Sequence, residues 1–459
     1  MEKANGYICF QNFVLIMKKL VIFFFVLMLS VQALARETFT IDNAKYIVTD
    51  AEKHEVSIRQ ILNEIKGDFI IPSEVEYNGI TYTVTSVDGA LFYKNKGLTS
   101  VTIPNSVKSI GNYAFKKCNN LESVTIGTNV VSIGDEAFYG CQNLTSIIMP
   151  NTVKQIGDFA FYNCTNLASV IISNSATNIG VKAFAGCECL KSIIIPDSVK
   201  SIGDGAFCYT SLESVTIPKN VEAIGRGVFY HCDSLKEIKV ANKNSKFISE
   251  DGVLFSIEKT ALICFPFGRT GSYNIPSFVT SISDYAFSGC AGLQSVTIPN
   301  TVTHIGEGAF SGCTSLTSII IPNSVTCIND ETFYHCSALV SVTIPNSVIS
   351  IGGNAFCGCS KLSSISIPQS VTTIDTYAFK SCGSLTSVNI PNTVKSIGYG
   401  AFNKCDNLTS IFIPNTVTTI NRVAFWKCNN LTIHCEASSK PDGWDDDWNP
   451  DNRPVVWGK

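Results

Sequence analysis

The stretch Leu98 to Cys118, LTSVTIPNSVKSIGNYAFKKC, returns along this chain at a spacing of 23 residues. Leu98, Leu121, Leu144, Leu167 and Leu190 form one file. Phe92, Phe115, Phe138, Phe161 and Phe184 form a second, and Cys118, Cys141, Cys164 and Cys187 a third. A unit this short cannot bury its apolar face alone, so a period in the twenties with Leu, Val and Ile at fixed offsets predicts a solenoid in which each copy packs on its neighbours. The rest of the chain then starts, interrupts or ends that stack.

Within one unit, Val101 and Ile103 alternate with Ser100 and Thr102. That period of two predicts a short strand with one set of side chains inward. Pro104 and Asn105 end it, because proline has no ladder donor and Pro-Asn favours a turn. Val107 and Ile110 form a second apolar pair, and Gly111 permits a tight corner. Ala114, Phe115, Cys118 and Leu121 follow at steps of one, three and three, which predicts a helical turn on the outer side with Phe and Cys pointing in. The Phe file continues through 207 and 229, and resumes at 287, 310, 333, 356, 379, 402 and 425, giving about 14 repeats in two runs of seven. Leu190 to Leu212 spans 22 residues, and Thr210 stands near the place of its missing Cys.

The pattern L-x-S-V-x-I-P-x-S-V-x-x-I-G-x-x-A-F-x-x-C, read from Leu98 through Cys118, resembles the BspA-type leucine-rich repeats of bacterial and protozoan surface proteins. The resemblance extends from about Ile71 to the C-terminus. It implies a right-handed solenoid with a parallel sheet along one face and a role in adhesion or recognition. The expected fold is a leucine-rich-repeat solenoid, α/β but mainly β with short helical turns, carrying a hairpin-type insert in its middle. Expected segments are an upstream extension and signal peptide at 1–35, an N-terminal cap at 36–70, a first repeat run at 71–240, the insert at 241–275, a second run at 276–432 and a C-terminal cap at 433–459.

Met17, Lys18 and Lys19 precede an apolar run from Leu20 to Leu34, and Ala33-Leu34-Ala35 offers small-x-small cleavage. This predicts a secretory signal peptide with its start at Met17 and a protein secreted or at the cell surface after cleavage near Ala35. The rival, an uncleaved anchor from Phe13 to Leu34, would bury Lys18 and Lys19 at a cost of several kcal/mol. Membrane contact is therefore expected only through that segment, if it stays uncleaved. From Arg36 to about Ile71, TFTIDNAKYIVTD and EVSIRQILNEI predict a strand pair and a connector covering the first open end. At the other end, Ile433 and Cys435 suggest a last shortened strand, with Trp444, Trp448 and Trp457 as a lid. Calcium binding at Asp445 to Asp447 is the weaker alternative, because consecutive side chains diverge.

In the insert, Val253 to Phe255 and Ala261 to Phe265 are apolar runs around a polar connection, and Asp251-Gly252 favours a turn. Either a docking protrusion or a variant rung fits; a variant rung that keeps the core continuous is preferred. Of 19 cysteines, twelve fall on the ladder. Secretion favours disulfides and rungs about 4.8 Å apart would allow them. However, the ladder lies one turn after Phe and one before Leu, where buried Cys serves as a small hydrophobe. Free thiols are the preferred reading, ahead of a structural disulfide and of metal, since the close pairs Cys187/Cys189 and Cys357/Cys359 have no nearby His.

A net charge of −3 makes no case for nucleic acid. His54, His231, His304, His335 and His434 are scattered, the serines have no paired base, and the Ile-Gly steps are corners, so no catalytic residue, metal site or cofactor is expected. The solvent face of the strands is left as the functional surface. Its Ser file includes Ser100, Ser123, Ser146 and Ser169, which read as structural and bonded rung to rung. The next outward site varies: Ile148, Ile171 and Ile194 are consecutive, with Ile320 and Phe412 as weaker positions in the second run. Three exposed isoleucines in a column would form an apolar stripe of the kind that marks contact sites, although they also favour strand formation or a self-association contact. The expected function is a secreted or surface-exposed, non-enzymatic protein-binding or adhesion module, with host extracellular matrix or other cell-surface proteins as partners. The alternative is a structural or self-associating surface component without a foreign ligand.

Overall fold

A computed structural model describes residues 37–459; the leader read at Met17–Ala35 lies outside them. The described residues form a mainly-β solenoid of about 16 turns. Strand after strand pairs in parallel with its copy one rung on, in register: Ser100↔Ser123 and Val101↔Val124, then Ser146↔Ser169 and Ile147↔Val170. The Pro-Asn step closes the strand as predicted at Pro104 and Pro150, with the Val107 and Val153 N–H groups donating to the Pro104 and Pro150 carbonyls at 3.1 Å, and Pro196-Asp197 makes the same bond with Val199.

A second parallel ladder accompanies the expected one. Ser109–Ile110 pairs with Ser132–Ile133, which pairs with Gln155–Ile156, and so on through Asn178–Ile179, Ser201–Ile202 and Ala223–Ile224. Two residues are too few to show alternation, so the sequence displays this strand only as an apolar pair.

The expected helical turns are absent; among the described residues no helix forms. In all fourteen Phe-bearing rungs the residues two before and two after the Phe have positive φ: Tyr113 (62°) and Lys117 (62°) around Phe115, Lys182 (50°) and Gly186 (74°) around Phe184, Val423 (51°) and Lys427 (60°) around Phe425. Left-handed residues cost about 1–2 kcal/mol each outside glycine. What they gain is a third inter-rung ladder. The N–H groups of Tyr113, Phe115 and Lys117 donate to the carbonyls of Asp135, Ala137 and Tyr139, at 2.6 to 2.9 Å. An α-helical turn would have spent those donors inside its own rung.

The core is one continuous cluster from Phe39 to Trp448. Its spine is the Phe file, every ring fully buried from Phe115 to Phe425. Successive rings stack with centroids 5.0 to 5.9 Å apart in the first run and 4.9 to 5.8 Å in the second. Each stacked pair adds about 0.5–1.5 kcal/mol beyond area burial. The ladder thiols have a definite bonding role: Cys118 Sγ donates to the Phe92 carbonyl at 2.9 Å, Cys141 to Phe115 at 3.1 Å and Cys187 to Phe161 at 3.3 Å. Burial pushes the Cys164 thiol up to about 12. At Thr210, the hydroxyl bonds its own Phe207 carbonyl at 2.8 Å and touches Cys232 Sγ at 3.2 Å, so the substitution keeps a donor in the ladder.

At the N-terminal end, Thr38–Ile41, Ala44–Asp50 and Glu55–Ile61 form an antiparallel meander, and the last of these joins Ile80–Val87 in parallel to enter the second ladder. EVSIRQI is thus a strand of the cap sheet and not only a connector. Gly67–Ile70 already pairs with Leu98–Thr102 as the first strand of the display ladder. At the other end Trp448 stands edge-on to Phe425 at 5.8 Å and 86°, in the place of a next Phe, and Trp444 Nε1 donates to the Val417 carbonyl at 3.0 Å. Asp447 pairs with Arg422 and Asp446 with Lys440.

The middle segment is a variant rung. Phe247–Glu250, Val253–Ser256 and Ala261–Cys264 run antiparallel in sequence, and Ala261–Cys264 then joins the next rung in parallel through Leu262↔Ile282. Phe265 restarts the Phe file against Phe287 at 5.0 Å.

Candidate functional site

The strand alternation that sends Ile147, Val170 and Ile193 into the core turns their successors outward. Ile148, Ile171 and Ile194 are 63%, 54% and 85% exposed. They are direct neighbours across the ladder, Ile148↔Ile171 by strand pairing and Ile171↔Ile194 by a parallel bridge. Thr125 precedes the column and Thr216 follows it, both exposed. Ile320, at 69%, is flanked by Thr343 in its own ladder. Phe412, at 37%, lies between Asn389 and His434. The structure therefore assembles the first three into one stripe and leaves Ile320 and Phe412 as isolated positions four rungs apart.

The Ser file beside the stripe differs from its expected role. Hydroxyl bonds in it occur at Ser100 to Asp68 (2.7 Å) and Ser295 to Ser272 (2.8 Å). Parallel strands stand about 4.8 Å apart, so in-register hydroxyls meet only where their rotamers turn toward each other, as those of Ser295 and Ser272 do. The hydroxyls that do tie successive rungs lie just before the Val of each turn: Thr152 donates to the Val130 carbonyl, Thr301 to Val279 and Thr393 to Val371, at 2.7 to 2.8 Å. A second polar ladder follows the corner, where Asn112, Asp135 and Asp158 side chains accept from the N–H groups of Asp135, Asp158 and Val181 at 2.7 to 2.8 Å.

This register of strand, turn and thiol matches a known repeat type. The BspA type leucine rich repeat region matches residues 85–210, 154–251, 263–382 and 327–440, three quarters of the sequence. The chain belongs to the BspA-type leucine-rich-repeat family. Among solved structures, a leucine rich cell surface protein of Faecalibacterium prausnitzii is similar at 28% identity and a TM-score of 0.61, over 88% of this chain and 96% of the other. A leucine-rich repeat protein of Bacteroides ovatus is similar at 28% and 0.53, over 92% and 100%. The pneumococcal vaccine antigen PcpA, at 22% and 0.52 over 92% and 99%, shares the fold. No curated protein matches.

The sequence reading of this BspA-type solenoid weighed only the strand face. The turn face has relief of its own. The residue after each Phe points there, and the file runs Tyr139, Tyr162, Ala185, Cys208, Tyr230, then Ser288, Ser311, Tyr334. Two files of side chains shrink together near the variant rung, because Gly205, Gly227 and Gly308 occupy the position two before Phe. Small residues breaking a file of tyrosines are the signal the sequence carries for this relief. No cluster of metal-ligating side chains occurs among the described residues.

Proposed function

We propose that this protein is a non-enzymatic recognition or adhesion module, displayed at the cell surface or secreted after removal of the leader near Ala35. The column Ile148, Ile171 and Ile194 supports this reading most directly. Three β-branched side chains on adjacent rungs stay largely in water, where threonine supplies the same strand preference without an apolar surface. Partners of this face are host extracellular-matrix or other cell-surface proteins, docking an apolar side against the stripe while the serines bond at its edge. The similarity to a leucine rich cell surface protein supports the location.

The test replaces Ile148, Ile171 and Ile194 together by Thr, the residue that holds this register at Thr102, Thr125 and Thr216. Capture of the wild-type chain on immobilised matrix proteins and co-resident cell extracts should fall at least tenfold in the variant with its melting temperature maintained. Unchanged capture by a folded variant removes the stripe as the site. A self-associating component instead shows a wild-type size that rises with concentration and a variant that stays small.

A further inference from the structure

On the turn face, at the variant rung, lies a cleft of about 630 Å3, a size typical of small-ligand sites. Its origin is a shortened turn. In a regular rung, Ile110 and Phe115 are five positions apart, whereas in the variant rung their counterparts Leu262 and Phe265 are three apart, as fixed by Leu262↔Ile282 pairing and by the Phe265 N–H bonding the Ala286 carbonyl at 2.8 Å. The segment that bulges outward elsewhere is missing here. Arg226 reaches across the notch from the rung before it to Asp284 (3.3 Å) and Glu307 (3.8 Å) on the two rungs after it.

The walls are aromatic and polar at once. Tyr209 and Tyr230, edge-to-face at 5.6 Å, stand on one bank, and Tyr285 and Tyr334 on the other. Tyr285 donates its hydroxyl hydrogen to Glu307 Oε1 at 2.6 Å, which fixes its ring above Gly308. Two carboxylates line the cleft without an ion-pair partner among the described residues, Asp204 and the half-buried Glu331. Ser288, 1% exposed, lines it too; its hydroxyl lies near Tyr230 yet makes no hydrogen bond there or elsewhere. A buried hydroxyl without a partner costs about 1–3 kcal/mol, so it favours a ligand that supplies one.

We propose that this cleft binds a neutral saccharide of two or more rings, at a site separate from the strand-face stripe. Sugar rings present flat C–H faces that pack on tyrosine rings, and a rim of hydroxyls that both donate to carboxylates and accept from Ser and Arg. The charges argue against an anionic ligand: Arg226 is shared between Asp284 and Glu307, and Lys182 alone stands against Asp204 and Glu331, so carboxylates outnumber cations and are free to accept from hydroxyls. A cleft of this volume whose lining runs over successive rungs from Phe159 to Tyr334, between banks of tyrosines, suits a short chain of rings better than a single small ion.

The repeat supplies its own controls. Ser311 occupies the register of Tyr139, Tyr162 and Tyr334, so Ser311→Tyr fills the cleft with a side chain the fold already accepts. Tyr334→Ser reverses the exchange, and Tyr139→Ser makes it outside the cleft. Saturation-transfer NMR on the whole chain uses cellobiose, maltose, lactose and diacetylchitobiose as probes at about 10 mM, suited to millimolar affinity. Transfer from tyrosine ring protons to at least one disaccharide is expected. It should weaken about tenfold in Ser311→Tyr and in Tyr334→Ser, and persist in Tyr139→Ser and in the triple isoleucine variant. No transfer to wild type from any of the four overturns the proposal. So does transfer that survives both cleft variants, or binding of N-acetyl-lysine amide in place of the sugars. Because the wild-type spectrum decides the first point, a variant that fails to fold leaves the test standing.

Discussion

The regular rungs and the variant rung at 261–274 place the same kinds of side chain inside and leave different surfaces outside. A regular rung spends five steps between its second strand and its Phe, with left-handed residues on both sides of the ring and a thiol bonded back to the preceding Phe carbonyl. The variant rung takes three steps, has Gly268 where the thiol would stand, and still seats Phe265 against Phe287. Inward register is therefore what the stack enforces, while turn length is free to vary. A concave feature arises in this solenoid by deletion of an outer segment, with no change in the interior pattern.

If the regular rungs rest on neutral thiols, alkaline pH should undo them. Cys118, Cys164 and Cys336 have pKa values raised by burial to about 12 from an ordinary 9.0. The folded state holds these protons after the unfolded state has released them. Stability is fully present below about pH 9 and falls as pH rises toward 12, by about 1.4 kcal/mol per pH unit for each thiol. Urea melts at stepped pH should show a steep loss, flattened when Cys141, Cys164 and Cys187 are all changed to Ala. Parallel pH profiles for the two chains would break the claim. Next in size, Phe161→Ala should cost about 3–5 kcal/mol, since Phe161 stacks at 5.2 and 5.3 Å on both sides. Phe265→Ala, stacked on one Phe ring, Phe287, with Tyr273 tilted against it at 4.7 Å, should cost about 1 kcal/mol less. Equal losses in urea melts would mean that the variant rung is as rigidly held as its neighbours.

Trp448→Ala tests an end against the middle: a loss of about 3 kcal/mol should appear with fast hydrogen exchange confined to the last rungs, because Phe425 and the lid residues Trp444 and Trp457 lose its cover. Exchange that quickens evenly along the chain would count against a capping role. The smallest effect is expected at Gly227→Asn. Its φ of 55° equals that of Asn354 at the same register, and an added Cβ meets nothing nearer than 3.6 Å. The change should stay within about 0.5 kcal/mol; a larger loss would show that the rung next to the variant one tolerates less than the other regular rungs.

Much of this was legible in the sequence because burial repeats. The Phe, Leu and Cys files, the outward Ile148, Ile171 and Ile194 and the tryptophan lid all follow from fixed offsets, and each has the burial those offsets require. The outer turn was misread as helical because steps of one, three and three are met equally by a turn with two left-handed residues. Tyr113, Glu136, Phe159 and Lys182, which adopt that conformation, give no local sign of it. The Ser file reads as bonded rung to rung, and the structure makes that bond between Ser295 and Ser272, while the spacing of parallel strands disfavours it elsewhere. The cleft is hidden in the Phe file because Phe265 follows Phe229 by 36 residues and not by 23. Counted as a rung, it shows the missing turn residues at once.

The central claim is that identical units stack so that alternate strand residues form an outward column. Hydroxyl-radical footprinting of the native chain, read residue by residue by mass spectrometry, tests it most directly. Oxidation should mark Ile148, Ile171 and Ile194 and spare Ile147, Val170 and Ile193. The opposite pattern, or equal labelling of both sets, would contradict it.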